Sequence, residues 1–280
     1  MSSPLQSHAG ILEYFRQCAL REVLSHAYIV TGPQFGGVTE VMRSVLEVLN
    51  PGERIVVAPE ETKSKTGIRM LKVDQIRALK ERLSGSSLQS GYRVVHIQEA
   101  EKMESQAGNA MLKVLEEPPE QTIFFIETTS LDALLPTIIS RCQVIRVGLL
   151  SDTEIDKMLG VVKDVDDRAD LVALCAGRVD LASEMASNTK KRNDWLKKWR
   201  EITALCTAPL EVQMKLGTKL DENELLLLET ALHRRCTHSG VALSELRSQM
   251  AGLIAARQAM KVHVPMATAL EQVWLPVMSR

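Results

Sequence analysis

Short strand signals alternate with helical periodicity through the first half of the chain, and the strand signals stop after Val147. These two observations predict a three-layer α/β domain with a mainly parallel, five-stranded sheet, then a small helical unit and a larger all-helical domain. A third observation supports the parallel sheet. Most of the strand segments are continuously apolar rather than alternating, as in strands covered on both faces.

Five runs read as strands: AYIVT (27–31), RIVVA (54–58), RVVHI (93–97), TIFFIE (122–127) and QVIRV (143–147). Between them lie helical patterns. VTEVMRSVLEVL (38–49) gathers Val38, Val41, Met42, Val45, Leu46 and Leu49 on one face. VDQIRALKERL (73–83) does so with Val73, Ile76, Leu79 and Leu83, and turns Arg77, Lys80 and Glu81 to solvent. QAGNAMLKVLEE (106–117) is a third helix, ended by Pro118 and Pro119. Beyond the last strand, SDTEIDKMLG opens a helix with Ser151 or Asp152 as N-cap and Glu154 in its first turn. The polar SNTKKRND (187–194) is expected to be a junction. From Trp195 the pattern is helical again, through NELLLLETALHRRC and ALSELRSQMAGLIAARQAM, until HVP (263–265) precedes a last helix.

Composition narrows the function classes. The 280 residues carry a formal net charge of -1, with 45% hydrophobic and 25% charged residues, as in an ordinary globular protein. This balance argues against a strongly basic nucleic-acid binder while allowing local basic patches. The cysteines (Cys18, Cys142, Cys175, Cys206 and Cys236) are odd in number and scattered, which fits a reducing compartment and no zinc spacing. His233 and His238, with Cys236 between them, read as helix surface rather than a metal site. MSSPLQSHAG lacks the pattern of a signal peptide, and LLLLETAL is too short to span a membrane, so a cytoplasmic location is expected.

Three segments carry chemistry. IVTGPQFGGVTEVM runs from an apolar strand through a glycine-rich turn into a helix, the outline of a phosphate-binding loop. Gly32 and Gly37 stand at the two glycine positions and Thr39 at the hydroxyl position. Val38 stands where the lysine belongs, and it supplies neither charge nor donor. A degenerate phosphate loop and an ordinary strand–helix turn both fit this segment. In VVHIQEAEKM, Glu99 matches the glutamate that polarises an attacking water, but Gln98 replaces the aspartate associated with magnesium. Alone, Glu99 is simply an acid at a strand end. Two charge-bearing positions failing together suggest an NTPase scaffold without its own catalysis. In LLPTIISRCQVIRV, Arg141 precedes the last strand. Such an arginine is often a surface charge; its functional reading is a finger offered to a nucleotide on a neighbouring subunit.

These pieces in this order resemble bacterial clamp-loader subunits of the AAA+ superfamily, and within them the delta-prime type of the DNA polymerase III holoenzyme. The resemblance rests on SHAYIVTGP (25–33), KVDQIRAL (72–79), YRVVHIQEAEKM (92–103), NAMLKVLEEPPEQTIFFIETT (109–129) and LLPTIISRCQ (134–143), with a weaker match in KVHVPMATALEQVWL. It implies an AAA+ α/β domain over residues 1–148, a small helical lid over 149–188 and a helical collar over 189–280 that holds subunits in a ring. It further implies a stator without ATPase activity that binds no cofactor, with ATP and magnesium on neighbouring motor subunits. Ser140, Arg141 and Cys142 match the motif that supplies the arginine finger. Thr128 and Thr129 lie in the sensor 1 region, and Asp180 or Leu181 takes the place of the sensor 2 arginine, Arg178 being displaced. Implied partners are the gamma/tau motor subunits, the delta subunit, the sliding clamp and, through the ring, primer–template DNA, with no membrane. Many relatives carry a four-cysteine zinc module; segment 50–91 has no cysteine, so no metal is expected. Two rival readings are an active gamma/tau-like motor, against which Val38 and Gln98 speak, and a stand-alone DNA-binding module. With 4% aromatic residues, the latter lacks a basic–aromatic stripe for base stacking.

Overall fold

A computed structural model describes residues 8–61, 69–85, 91–206 and 220–238, with 251, 253 and 255. The chain divides into two compact units, residues 1–150 with 178–180 and residues 151–177 with 181–280.

The first unit opens with helix α1 (His8–Leu20), followed by strand β1 (Ala27–Thr31), helix α2 (Val38–Leu49) and strand β2 (Glu53–Val57). A small antiparallel pair comes next, β3 (Glu60–Glu61) with β4 (Arg69–Met70). Then follow α3 (Val73–Leu83), β5 (Arg93–Ile97), α4 (Ser105–Glu116), β6 (Thr122–Thr128), the short helix α5 (Pro136–Ile139) and β7 (Gln143–Arg146). The main sheet has the order β2-β5-β6-β1-β7, and every pairing in it is parallel.

Side-chain alternation along these strands sorts the core into two layers. Ala27, Ile29, Val95, Ile97, Phe124 and Ile126 face α3 and α4, meeting Ile76, Leu79, Met111 and Val114. Tyr28, Val30, Val94, Phe125 and Ile145 face α1 and α2, meeting Ile11, Phe15, Val41, Met42 and Val45. The central strands β1 and β5 are buried at every residue, which explains their continuous apolar runs. The edge strands differ. In β2, Ile55 and Val57 are buried while Val56 is 48% exposed, and in β7 Gln143 and Arg146 face outward. An edge strand has one neighbour and incomplete cover, so the two-sided burial expected from its sequence is only partly met.

Helix α1 was not anticipated from sequence, yet it completes the second layer. Phe15, fully buried, lies edge-on to Tyr28 with centroids 5.0 Å apart and 5.6 Å from Phe125, while Tyr28 and Phe125 stack at 5.4 Å. Burial pushes the Tyr28 hydroxyl far above its ordinary pKa, and that oxygen accepts from Ser25 N–H at 2.8 Å. The sheet is pinned at its start by Arg93. Its buried guanidinium donates from Nε to Glu53 Oε2 (2.7 Å) and from Nη1 to the Leu83 carbonyl (3.3 Å), joining β5, β2 and the end of α3.

The second unit is helical among the described residues. Helix α6 (Asp152–Met158) is capped by Ser151, not Asp152, in a capping box with Glu154. Helix α7 (Val165–Cys175) is capped by Asp164, and α8 (Val179–Ser187) precedes α9 (Thr189–Leu205), which is capped by Asn188. The polar segment 187–194 is therefore mostly the first turns of a helix, divided at Asn188. Helix α10 (Glu222–His238) follows, and Leu196, Trp199, Ile202, Leu225 and Leu228 are buried in this unit. The closing helix expected after HVP, and most of ALSELRSQMAGLIAARQAM, lie outside the described residues.

Phe15→Ala should lower the unfolding free energy by about 3–5 kcal/mol, the usual cost of deleting a buried ring. Urea titration should show a lower midpoint at unchanged slope; a midpoint within error of wild type would mean that α1 adds nothing to the core.

Candidate functional site

Strand β1 ends at Thr31 and delivers the glycine-rich turn to the start of α2. A Cβ on Gly32 would lie 2.8 Å from Val38 Cγ2 and 2.9 Å from the Val147 carbonyl oxygen. Gly37 has φ of +89°, and a Cβ there would stand 2.2 Å from Val179 Cγ1 and 2.7 Å from His8 Cε1. Close neighbours thus require glycine at both positions, and backbone shape requires it at Gly37 as well. Val38 is 6% exposed and packs in the layer that α2 shares with β1 and Val147.

Several of the loop's polar groups are engaged by the chain itself. Gly37 N–H donates to Asp180 Oδ2 at 3.0 Å, and Asp180 N–H donates back to the Phe35 carbonyl at 3.1 Å. Residues 178–180 group with the first unit, so this exchange is internal to it. Of the two residues considered for the sensor 2 position, Asp180 is the one that meets the loop, and Leu181 is buried. Burial pushes the Asp180 carboxyl up, and the Gly37 N–H partly offsets this.

Thr39 Oγ1 donates to Glu127 Oε1 at 2.6 Å, and Glu127 Oε2 lies 2.9 Å from His96 Nε2. Arg54 Nη2 approaches His96 Nδ1 at 3.4 Å, which makes Nδ1 the acceptor and assigns the proton to Nε2, facing Glu127. Burial alone would push the Glu127 carboxyl up. Hydrogen bonds from His96 and Thr39 outweigh it and hold the group below the usual carboxylate range.

Gln98 continues the backbone pairing, its N–H donating to the Val57 carbonyl at 2.9 Å. Glu99 follows in a left-handed conformation, φ +49°, and its carboxylate is shared between Arg69 at 3.0 Å and Lys102. Thr128 and Thr129 are both tied to Glu101, through hydroxyl–carboxylate bonds of 2.9 Å each. The donor set is a poor match to a magnesium nucleotide. The lysine position is apolar, a carboxylate faces the loop N–H, and the threonine hydroxyl is committed to a second carboxylate. Among the described residues no cluster of three or more His, Cys, Asp or Glu side chains could hold a metal ion.

Arg141 is placed elsewhere. β7 pairs with β1 in parallel register, Gln143 beside Tyr28 and Arg146 beside Thr31. Gly32 follows β1 at one end, whereas Arg141 precedes β7 at the other. At ~3.3 Å per residue, the four-residue step from the level of Gln143 to that of Gly32 alone separates the two levels by roughly 13 Å. Arg141 Nη1 donates to the Thr137 carbonyl at 3.0 Å and Nη2 to Glu116 Oε1 at 2.8 Å, with the side chain 36% exposed. Ser140 Oγ also donates to the Thr137 carbonyl, at 3.1 Å. Cys142 packs against the core layer of α3 and α4, where burial pushes its thiol up to about 11, so it is an apolar anchor rather than a nucleophile.

A family model described as DNA polymerase III, delta subunit, matches residues 7–150. The chain belongs to that family. Among curated relatives of this clamp-loader family, DNA polymerase III subunit delta' of Haemophilus influenzae is 38% identical over 114 residues, 40% of this chain and 35% of that protein. DNA polymerase III subunit gamma of Buchnera aphidicola is 29% identical over 151 residues, 49% of this chain and 42% of that protein. The matched region thus spans less than half the length of either relative. Among solved structures, the Thermotoga maritima RuvB Holliday junction branch migration motor superposes with a TM-score of 0.51 at 13% identity, covering 96% of this chain and 85% of RuvB. At that identity the likeness shows the fold, which is the AAA+ arrangement.

The polar partners Glu101, Glu116, Glu127 and His96 were missed from sequence. A charged or polar residue inside a buried strand, as in TIFFIET and RVVHI, was the available signal for two of them.

Because the Glu127 carboxyl is depressed in the folded state, its contribution is fully present above the unfolded value near ~4.3 and is lost as pH falls. Glu127→Gln should be less stable than wild type at pH 7, and the gap should narrow as pH drops through the carboxylate range. Urea unfolding at pH 7 and pH 4 measures this; a gap that widens in acid would contradict the assignment.

Proposed function

We propose that this chain is a non-hydrolysing, stator-type subunit of the DNA polymerase III clamp loader. It completes one interface of a cytoplasmic ring and offers Arg141 to the ATP site of a neighbouring gamma/tau motor subunit. The observation that carries this reading is the bond from Gly37 N–H to Asp180. A phosphate loop binds anions through its N–H groups, and here a carboxylate of the same chain stands in that position. Val38, the Thr39–Glu127 bond and the pairing of Glu99 with Arg69 and Lys102 point the same way. The register that sets Arg141 at the far end of the sheet favours action on another subunit's nucleotide rather than on this chain's own loop.

In this reading ATP and magnesium reside on the motor subunits. The delta subunit and the sliding clamp are the other protein partners, and primer–template DNA is reached through the assembled ring. The division into an α/β domain to residue 148, a lid to 188 and a collar to 280 belongs to the same proposal. The matches to gamma and tau subunits favour one rival, an active motor.

Two measurements decide between them. The purified chain should show no saturable binding of ATP with magnesium in equilibrium titration; tight, magnesium-dependent binding would establish the motor reading instead. Arg141→Ala should leave folding and assembly intact and slow DNA-stimulated hydrolysis in the reconstituted complex. Loss of such a finger slows the site it serves by roughly 10³ or more, so the total should fall by that site's share. Unchanged hydrolysis would sink the finger assignment.

A further inference from the structure

We propose that Glu116, at the end of the NAMLKVLEEPP run, is the positioning residue for Arg141; the inference rests on the finger reading above. Glu116 is the last residue of α4, and Pro118 and Pro119 prevent the helix from continuing. A carboxylate in the last turn of a helix faces the negative end of the helix dipole, so its own helix disfavours it there. Its compensation comes from another element: Arg141 Nη2 donates to Glu116 Oε1 at 2.8 Å.

A second anchor fixes the orientation of the fork. Arg141 Nη1 donates to the Thr137 carbonyl at 3.0 Å, in the turn that ends α5. One carbonyl and one carboxylate from two separate helices therefore hold the two terminal nitrogens. The Nε edge has no partner among the described residues. A guanidinium carries five N–H donors in a rigid plane, so fixing two of them fixes the direction of the rest. Without Glu116 the side chain keeps one anchor, at the Thr137 carbonyl, and regains rotamer freedom.

Exposure argues against a purely structural role. The two side chains are 36% and 49% exposed, and ion pairs of that kind contribute little to folding. The pair acts on direction rather than on stability. Holding a catalytic group in its reactive orientation raises the rate of the chemical step without tightening ground-state binding, so its loss is read in kcat.

The test uses the complex reconstituted with motor and delta subunits, and reads DNA-stimulated ATP hydrolysis for Glu116→Ala, Glu116→Gln, Arg141→Ala and the Glu116→Ala/Arg141→Ala double variant. Glu116→Ala should lower kcat at the served site by about two- to fivefold, the scale of one exposed ion pair, at unchanged KM for ATP. Glu116→Gln, which keeps an acceptor oxygen, should restore most of the loss. In the Arg141→Ala background Glu116→Ala should change nothing further. If Arg141→Ala slows hydrolysis and Glu116→Ala does not, or if Glu116→Ala is equally harmful without Arg141, the positioning role is overturned while the finger reading stands. A rise in rate on removing Glu116 would make it a competitor for the arginine and overturn the inference too. If Arg141→Ala has no effect, the finger reading falls and this inference with it. Should Glu116→Ala fail to assemble, Glu116→Asp, which keeps the charge and shortens the reach, carries the same comparison.

Discussion

The parallel register of β1 with its two neighbours is the constraint from which the rest of the first unit follows. Phe124 pairs with Ala27 on one side and Gln143 with Tyr28 on the other. Because all the strands run the same way, turns that leave their ends gather on one edge of the sheet, and segments that enter them gather on the opposite edge. The glycine-rich turn, Gln98 and Thr128 belong to the first edge, and the Ser140–Cys142 segment to the second. No local rearrangement of side chains could exchange them. The alternation that the register enforces also sends Phe15, Tyr28 and Phe125 to one layer and Ile29, Phe124 and Met111 to the other.

At the first edge the chemistry is one of internal neutralisation. Loop N–H groups at the start of a helix attract negative charge whether or not a lysine is present. Val38 brings no cation to this loop, and the Asp180 carboxylate of the same chain accepts from the Gly37 N–H. The Thr39 hydroxyl, the acid after β5 and the two threonines at the end of β6, Thr128 and Thr129, each have a side-chain partner as well. These groups find partners within the chain, whereas the buried His8 Nε2, whose ring stands beside Gly37, has none among the described residues.

The layers and the order of elements were legible in the sequence because they rest on periodicity. Continuous apolar runs marked β1, β5 and β6, and the spacing of Val41, Met42, Val45 and Leu46 marked α2. Helix α1 was not expected although Ile11, Phe15 and Ala19 recur at helical spacing. The β3–β4 pair was missed because two-residue strands carry no period. At the candidate site, the sequence gives the residue types at Val38 and Gln98 but not the partners of the groups around them. Asp180 lies 143 positions from Gly37, and Glu116 lies 25 positions from Arg141. Only tertiary structure brings such partners together.

The exchange of hydrogen bonds between Asp180 and the turn at Phe35–Gly37 has a consequence in terms of concentration. A diffusible ligand fills its site according to its abundance, so a site that binds one reports on the cell's supply. A ligand that belongs to the chain has a fixed effective concentration, set by covalent connection alone. An outside anion that would reach the Gly37 N–H must therefore displace a carboxylate held at that fixed effective concentration. Dilution, which empties a site held by a diffusible ligand, leaves the contact of Asp180 with the turn unchanged.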